Sequence, residues 1–373
     1  MPVLTGIRGW AALWVLLYHA WGQSGSKPII LGSDALGADV TPFFRMGGAG
    51  VTVFFVLSGF LLSLPFAAWQ AGLRDKPATG AYLIRRVARV FPAYYAQLAV
   101  LILISAIDLG WSAVPNAADM GRHLLMLFMP PPLGMEPRNG VWWTLPIEFS
   151  FYIALPLIAV LLRSDRCMWL FAMAIASMVA WRYFAVTWLA DSSIQSRVSA
   201  AYQLPGSMDS FGFGMLASII HVNRKTMLVW LRRPAYLDFA TLLGVAVLVG
   251  AIYWLHYGGK GYWSNTPIFY LWTPALSLGI TAIVLAGAGG GRIASLLFAN
   301  RFMVYAGLVS YSVYLWHFPI LVWMKSQPFV QSVADHRLAV LLLAGIPTTL
   351  AVATISYFLV ERPCLRLRLR VRG

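Results

Sequence analysis

Charge is scarce in this chain. Of its 373 residues only 11% are Asp, Glu, Lys or Arg, against about 25% in an ordinary soluble domain. Hydrophobic residues make up 60%, and the mean hydropathy is +0.71. A water-surrounded globule of this length cannot bury so much apolar surface, so a soluble fold is excluded and bilayer lipid must cover the remainder. Cysteine is nearly absent. Cys167 and Cys364 offer neither a disulfide framework nor the spacing of a metal site, so no metal is expected. The G-x-S-x-G nucleophile elbow is missing. Gly47, Gly48 and Gly50 do not make a phosphate-cradling loop. There is no internal repeat and no low-complexity linker. No small-residue cleavage site cleanly follows the first apolar segment, so that segment is expected to stay as an anchor.

What the chain does have is long apolar runs. A span needs roughly 20 apolar residues, and ten candidates fall on 5–22, 47–68, 90–108, 141–162, 167–189, 207–222, 236–256, 267–287, 301–324 and 338–360. The stretch 123–130, which runs into Pro130-Pro131-Pro132, is too short to cross and is expected to lie at the interface. Sixteen Trp and 16 Tyr suit aromatic belts at the two membrane surfaces. The formal charge of +15 does not indicate nucleic acid, because the basic residues sit in short loops between apolar runs. Their distribution gives an orientation instead. With the N-terminus cytoplasmic, eighteen of the 28 Lys and Arg fall in inner loops and the C-terminal tail, eight fall outside, and Arg8 and Arg182 lie within spans. The outer loops also hold Asp34, Asp39, Asp108, Asp119, Glu136, Asp191 and Asp335, which leaves them nearly neutral. By the positive-inside rule the expectation is an all-α, polytopic, ten-helix bundle with both termini cytoplasmic. It forms one domain over 1–373 that ends in a basic tail, 362–373.

Ionisable groups inside spans are costly and usually face the bundle interior. Arg8 and His19 share the first span. Eleven residues advance about 16 Å along a helix and return close to the same face. Arg8 then lies toward the cytoplasmic end and His19 toward the outer end. The pair reads as an anion-binding arginine and a histidine base, and equally as a snorkelling Arg with an interfacial His. Ser58-Gly59 at the middle of span two suits close helix approach more than nucleophilic chemistry. Arg85, Arg86 and Arg89 cluster just ahead of Pro92. Arginine forks suit phosphate, although plain positive-inside anchoring explains them too. Glu148, in WWTLPIEFSFYIALP, has no charged neighbour in sequence. A buried lone carboxylate is expensive, so a His or Arg partner across the bundle is expected. Asp209 opens span six as a polar group or a helix cap. Asp238 starts span seven, and His317 lies in span nine with Pro319 two residues on. Glu361-Arg362 reads most simply as an interfacial ion pair.

Five of these segments, LTGIRGWAALWVLLYH, GVTVFFVLSGFLLS, RRVARVFPAYY, WWTLPIEFSFYIALP and YSVYLWHFP, together resemble the acyltransferase 3 family of integral membrane acyltransferases. They occur in the family's order, over about residues 4–361. The resemblance implies an O-acyltransferase that takes an acyl group, usually acetyl, from cytoplasmic acyl-CoA. The group would pass to a hydroxyl of an extracytoplasmic glycan, lipid-linked saccharide or other cell-envelope acceptor. It also implies a multi-pass protein of the cell inner membrane. The family's Arg-x10-His pattern falls on Arg8 and His19, and its Arg-x-x-Arg on Arg86 and Arg89. The tryptophan-to-glutamate segment falls on Trp143 and Glu148, with Thr144 where Ser is common. The tyrosine-rich segment falls on Tyr311, Tyr314 and His317. On this reading His19, Glu148 and Arg8 are catalytic, with Glu148 orienting the His19 ring. Arg85, Arg86 and Arg89 bind the donor, acetyl-CoA. Ser58, Asp209, Tyr314 and His317 contact substrate. Any further extracytoplasmic step would need a separate partner protein. The competing expectation is a sugar or lipid transporter without acyl chemistry, although the paired repeats common in transporters are not evident.

Overall fold

The computed structural model describes all residues except 33–36, 129–135, 191, 225–232, 260–261, 263–264 and 371–373, and describes 195, 334 and 367–370 by backbone alone. Pro130–Pro132, Asp34, Asp191, Lys225, Arg232, Lys260 and Arg372 therefore lie outside the described residues or side chains.

Apolar runs this long must satisfy their backbone groups internally, and in lipid that means helices. The first half of the bundle comprises α1 (Pro2–Gln23), α2 (Gly50–Gln70), α3 (Thr79–Leu109), α4 (Thr144–Ile158), α5 (Cys167–Trp188) and α6 (Met208–Val222). The second comprises α7 (Pro234–Gly258), α8 (Pro267–Gly289), α9 (Arg301–Leu308), α10 (Ser310–Ser326) and α11 (Arg337–Ser356). A single π turn, Tyr357–Glu361, carries α11 into α12 (Arg362–Arg370). Each of the ten expected segments lies on helix, the ninth on two. Proline at the first turn opens α1, α7 and α8, where its missing N–H costs nothing. The Asn300 side chain caps α9 by accepting from the Met303 amide at 2.9 Å. Gly290, at φ 92°, closes α8 in the left-handed conformation that glycine adopts without strain.

Among the described residues seven helical stretches are long and apolar enough to cross a bilayer, and the α9–α10 pair, bent by 78°, makes an eighth. The ten-span reading is wider than this test. α6, only 15 residues long, and the polar-spotted α1 fall outside it. The outer surface of the bundle presents Leu103, Ile107, Leu157, Trp169, Phe239 and Leu343, all exposed. Such a belt is stable only against lipid.

Helices α2 and α6 meet at glycine. A Cβ on Gly59 would stand 2.4 Å from the Phe211 carbonyl oxygen, and one on Gly214 2.1 Å from that of Val56. The Ser58-Gly59 pair thus serves close approach, and that contact turns Ser58 toward α4. α1 packs across α9 and α10, while α7 packs on α8. A short antiparallel ribbon pairs Ile30 with Asp39 and Leu31 with Ala38. The Asp39 carboxylate accepts from Tyr257 at 2.9 Å, which ties the ribbon to the end of α7. The eight-residue helix Ala117–Leu124 holds the start of the expected interfacial segment.

Proline inside α10 organises the bundle centre. Pro319 has no amide hydrogen to give to the carbonyl four residues earlier. That carbonyl, Leu315, instead accepts from Gln97 Nε2 of α3 at 2.6 Å and from Asn139 Nδ2 at 2.9 Å. Gln97 in turn accepts from the Trp142 indole at 2.8 Å. Gln97, Asn139 and Trp142 are all buried, so this network bolts α10 to α3 and to the turn that precedes α4.

Candidate active site

Among the described residues two cavities reach into the bundle. The first is lined by Arg8 from α1, Ser58 from α2, Arg86 and Arg89 from α3, Thr144, Glu148 and Tyr152 from α4, and Ser310, Tyr311 and Tyr314 from α10. The sequence-expected Arg8, Arg86, Arg89, Ser58 and Glu148 therefore meet in one chamber, although they come from four helices. Ser58 donates to Glu148 Oε1 at 2.8 Å. Arg8 feels the charges of Arg89, Glu148 and Glu361. The Arg86 guanidinium lies over the rings of Tyr82 and Tyr152 at 5.9 and 6.0 Å, a cation–π placement that holds it without using its donors. Its buried Nε and the buried Ser310 hydroxyl make no hydrogen bond among the described residues. Buried polar groups are normally paired, so these two are available to a ligand. With three arginines against one lining carboxylate, that ligand is best an anion.

The second cavity, partly open to the outside, is lined by Tyr18 and His19 from α1, Thr52 from α2, Trp143, Arg182 from α5, Tyr202, Ser207, Ser210, His256, Tyr262, Trp272 and Thr273, among others. Val51, Phe55 and Tyr314 line both cavities. Tyr314 is fixed at this boundary. Its hydroxyl donates to the Val141 carbonyl at 2.6 Å and meets the Thr144 hydroxyl at 2.8 Å. Because Tyr314 spends its proton on a carbonyl, Thr144 is the donor in the second bond. Thr144 supplies the same hydroxyl that Ser would.

Several expected placements need correction. Glu148 does not orient His19: it sits in the first cavity on Ser58, whereas His19 lines the second. The His19 ring instead meets His317, with Nδ1 of His19 3.0 Å from Nε2 of His317. Arg85 stays outside the lining that Arg86 and Arg89 provide, because adjacent residues on a helix point about 100° apart. His317 is fully buried and lines neither cavity, so it does not touch substrate in this state. Asp209 is also fully buried. It is not a surface cap. Its Oδ2 accepts from Thr273 at 2.5 Å and lies 3.7 Å from Arg182 Nη2. The Arg182 guanidinium also donates to the Gly206 and Phe269 carbonyls at 2.9 Å each. Asp209 is thus a partner of the second cavity's wall rather than part of it. Glu361 is no interfacial ion pair. It is buried, accepts from Ser312, and leaves Oε2 without a partner among the described residues. Arg362 lies instead over the Phe358 ring at 5.1 Å.

Sequence reasoning missed Gln97, Asn139, Tyr152, Tyr202 and Tyr262. A buried Gln in an apolar helix, or a buried Asn in a connecting turn, leaves only a weak signal. The Tyr202–Tyr262 contact, 3.2 Å between hydroxyls, joins residues 60 positions apart and leaves none. Among the described residues no group of His, Cys, Asp or Glu is arranged to hold a metal.

Apolar helices enclosing a polar, basic interior define a multi-pass membrane protein with a binding chamber inside the bundle. A family model described as an acyltransferase domain matches residues 2–359, and the chain belongs to the acyltransferase 3 family. It is similar to acyltransferase MdmB of Streptomyces mycarofaciens, at 26% identity over 98% of this chain and 92% of that protein. It is also similar to exopolysaccharide production protein ExoZ of Rhizobium meliloti (strain 1021), at 26% over 87% and 91%. O-acetyltransferase OatA of Staphylococcus aureus matches at 22% over 97% of this chain and 57% of its own. No solved structure matches. The protein is an O-acyltransferase, and the transporter expectation gives way to that assignment.

Proposed function

We propose that the protein takes an acyl group, most simply acetyl, from cytoplasmic acyl-CoA and passes it to a hydroxyl of an extracytoplasmic glycan, lipid-linked saccharide or related cell-envelope acceptor. It would do so in the inner membrane, with both termini cytoplasmic. The observation that carries this reading is the pair of cavities that share Val51, Phe55 and Tyr314. Arg8 lines one and His19 the other, about 16 Å apart along one helix. Arg86 and Arg89 take the donor's phosphates, and Arg8 lines the path of the extended thioester arm. Glu148 and Ser58 balance and position the arginines. His19 takes the proton of the acceptor hydroxyl as its oxygen bonds to the thioester carbon. The carbon–sulfur bond then breaks, and His19 returns the proton to the departing thiolate. Direct transfer is the simpler route, because a base at His19 suffices and no second activated group is needed beside it.

The name of the relative ExoZ, exopolysaccharide production, supports a glycan acceptor. So does the lining of the second cavity, where Tyr18, Trp143, Tyr202, Tyr262 and Trp272 offer flat faces for sugar rings. The test is to incubate purified protein in nanodiscs with acetyl-CoA labelled in the acetyl group and a solubilised pool of cell-envelope glycan. Label should move to glycan as an alkali-labile ester, and free CoA should compete. Failure to bind acetyl-CoA at all would overturn the donor assignment.

A further inference from the structure

The contact between His19 and His317 fixes where the protons sit. A backbone carbonyl only accepts. His317 Nδ1 lies 3.0 Å from the Val313 carbonyl oxygen, so Nδ1 of His317 carries the hydrogen and Nε2 of the neutral ring holds a lone pair. His19 Nδ1 lies 3.0 Å from the Val15 carbonyl oxygen and 3.0 Å from that His317 nitrogen. Both are acceptors, so His19 Nδ1 is the donor to both. The remaining nitrogen of His19, Nε2, is then bare, as a base requires.

The two acceptors are not equivalent. Val15 O already receives the His19 main-chain amide within α1, whereas the His317 lone pair is directed at His19 from another helix. His317 is itself immobilised. It is fully buried, its ring is held by Val313, and its helix is bolted by the Gln97 and Asn139 bonds to Leu315 two residues away. Phe318 closes edge-on over the His19 ring at 5.1 Å.

We infer that His317 is a positioning residue: as a neutral acceptor it holds His19 with its proton on Nδ1, and it keeps that bond when Nε2 takes the acceptor's proton. Serine-type triads give this task to a carboxylate. Here a second imidazole fills it, and Glu148 is left to the donor cavity. The inference rests on His19 being the base.

The test has two readouts. Protein labelled with [15N]histidine in nanodiscs reports which ring nitrogen carries hydrogen, with His19 assigned by comparison with His19→Ala. The wild type should show His19 protonated at Nδ1 and bare at Nε2. His317→Gln places an amide oxygen near the lost Nε2 and should keep that pattern. His317→Leu should give a mixture of tautomers. In transfer from acetyl-CoA to solubilised envelope glycan, His317→Leu should lower kcat about 100-fold with KM for acetyl-CoA unchanged, and His317→Gln should recover it to within about tenfold. A proton on Nε2 of wild-type His19 would overturn the inference, as would a His317→Leu protein with wild-type spectrum and rate. Should His317→Leu not fold, His317→Gln decides: a wild-type tautomer supports the inference and a switched one refutes it. Full transfer by His19→Ala would instead refute the choice of base, while the spectra would still judge the geometry.

Discussion

His19→Ala loses transfer almost completely. The expected fall in kcat is about 10²–10⁴-fold, the usual worth of a positioned general base, or roughly 3–5 kcal/mol of transition-state stabilisation. Acyl-CoA binding should be unchanged, because His19 lines the second cavity and the arginines line the first. Isothermal titration with CoA, set beside the labelled-acetyl assay, separates the two effects. A mutant with normal kcat, or one that loses CoA binding and turnover together, would show that His19 is structural. His19→Gln should not restore activity. It can keep a hydrogen bond near His317, but it offers no titratable nitrogen.

The second large effect falls on the other cavity. Arg86→Ala and Arg89→Ala should each raise KM for acyl-CoA by about 10–100-fold with little change in kcat. Charge-assisted hydrogen bonds are worth about 1.5–3 kcal/mol, and binding made equally in the ground and transition states appears in KM. Lysine at either position should recover only part of the loss, because it replaces a planar fork with a point charge. Arg85→Ala should change KM much less, since Arg85 is outside the lining. Quantitative blotting of membrane fractions checks the alternative role. Loss of insertion with donor affinity intact would mean that Arg86 and Arg89 only anchor the helix.

These contrasts show what the sequence could carry. Composition and apolar run length made the helical membrane fold legible, because lipid leaves the backbone few choices. The spacing of Arg8 and His19 on one helix was legible for the same reason: helix geometry alone sets their face and separation. Partnerships between helices were not. Glu148 called for a distant partner, but nothing in its surroundings distinguished Ser58 and the arginines from His19. His317 signalled a polar group in a span, yet its side chain turns onto His19 rather than into a cavity, and only packing decides that. Glu361 followed by arginine looks like a local pair in sequence. The π turn at Tyr357–Glu361 instead rolls the carboxylate inward to Ser312. The role of Pro319 could have been anticipated: a proline in a span frees a carbonyl, and a freed buried carbonyl must find donors. Which donors, Gln97 and Asn139, depended on the fold.

In the proposed reaction, acyl donor and acceptor enter from opposite sides and meet near Tyr314, which lines both cavities. The direct measurement uses sealed proteoliposomes in which the protein's orientation has been determined by protease protection of the basic tail. Acetyl-CoA labelled in its acetyl group is supplied on one side only, and glycan acceptor on the other. Label should reach the acceptor only when acetyl-CoA is on the side of the tail and the acceptor is opposite. Equal transfer with both substrates on the same side, and none across, would contradict the account.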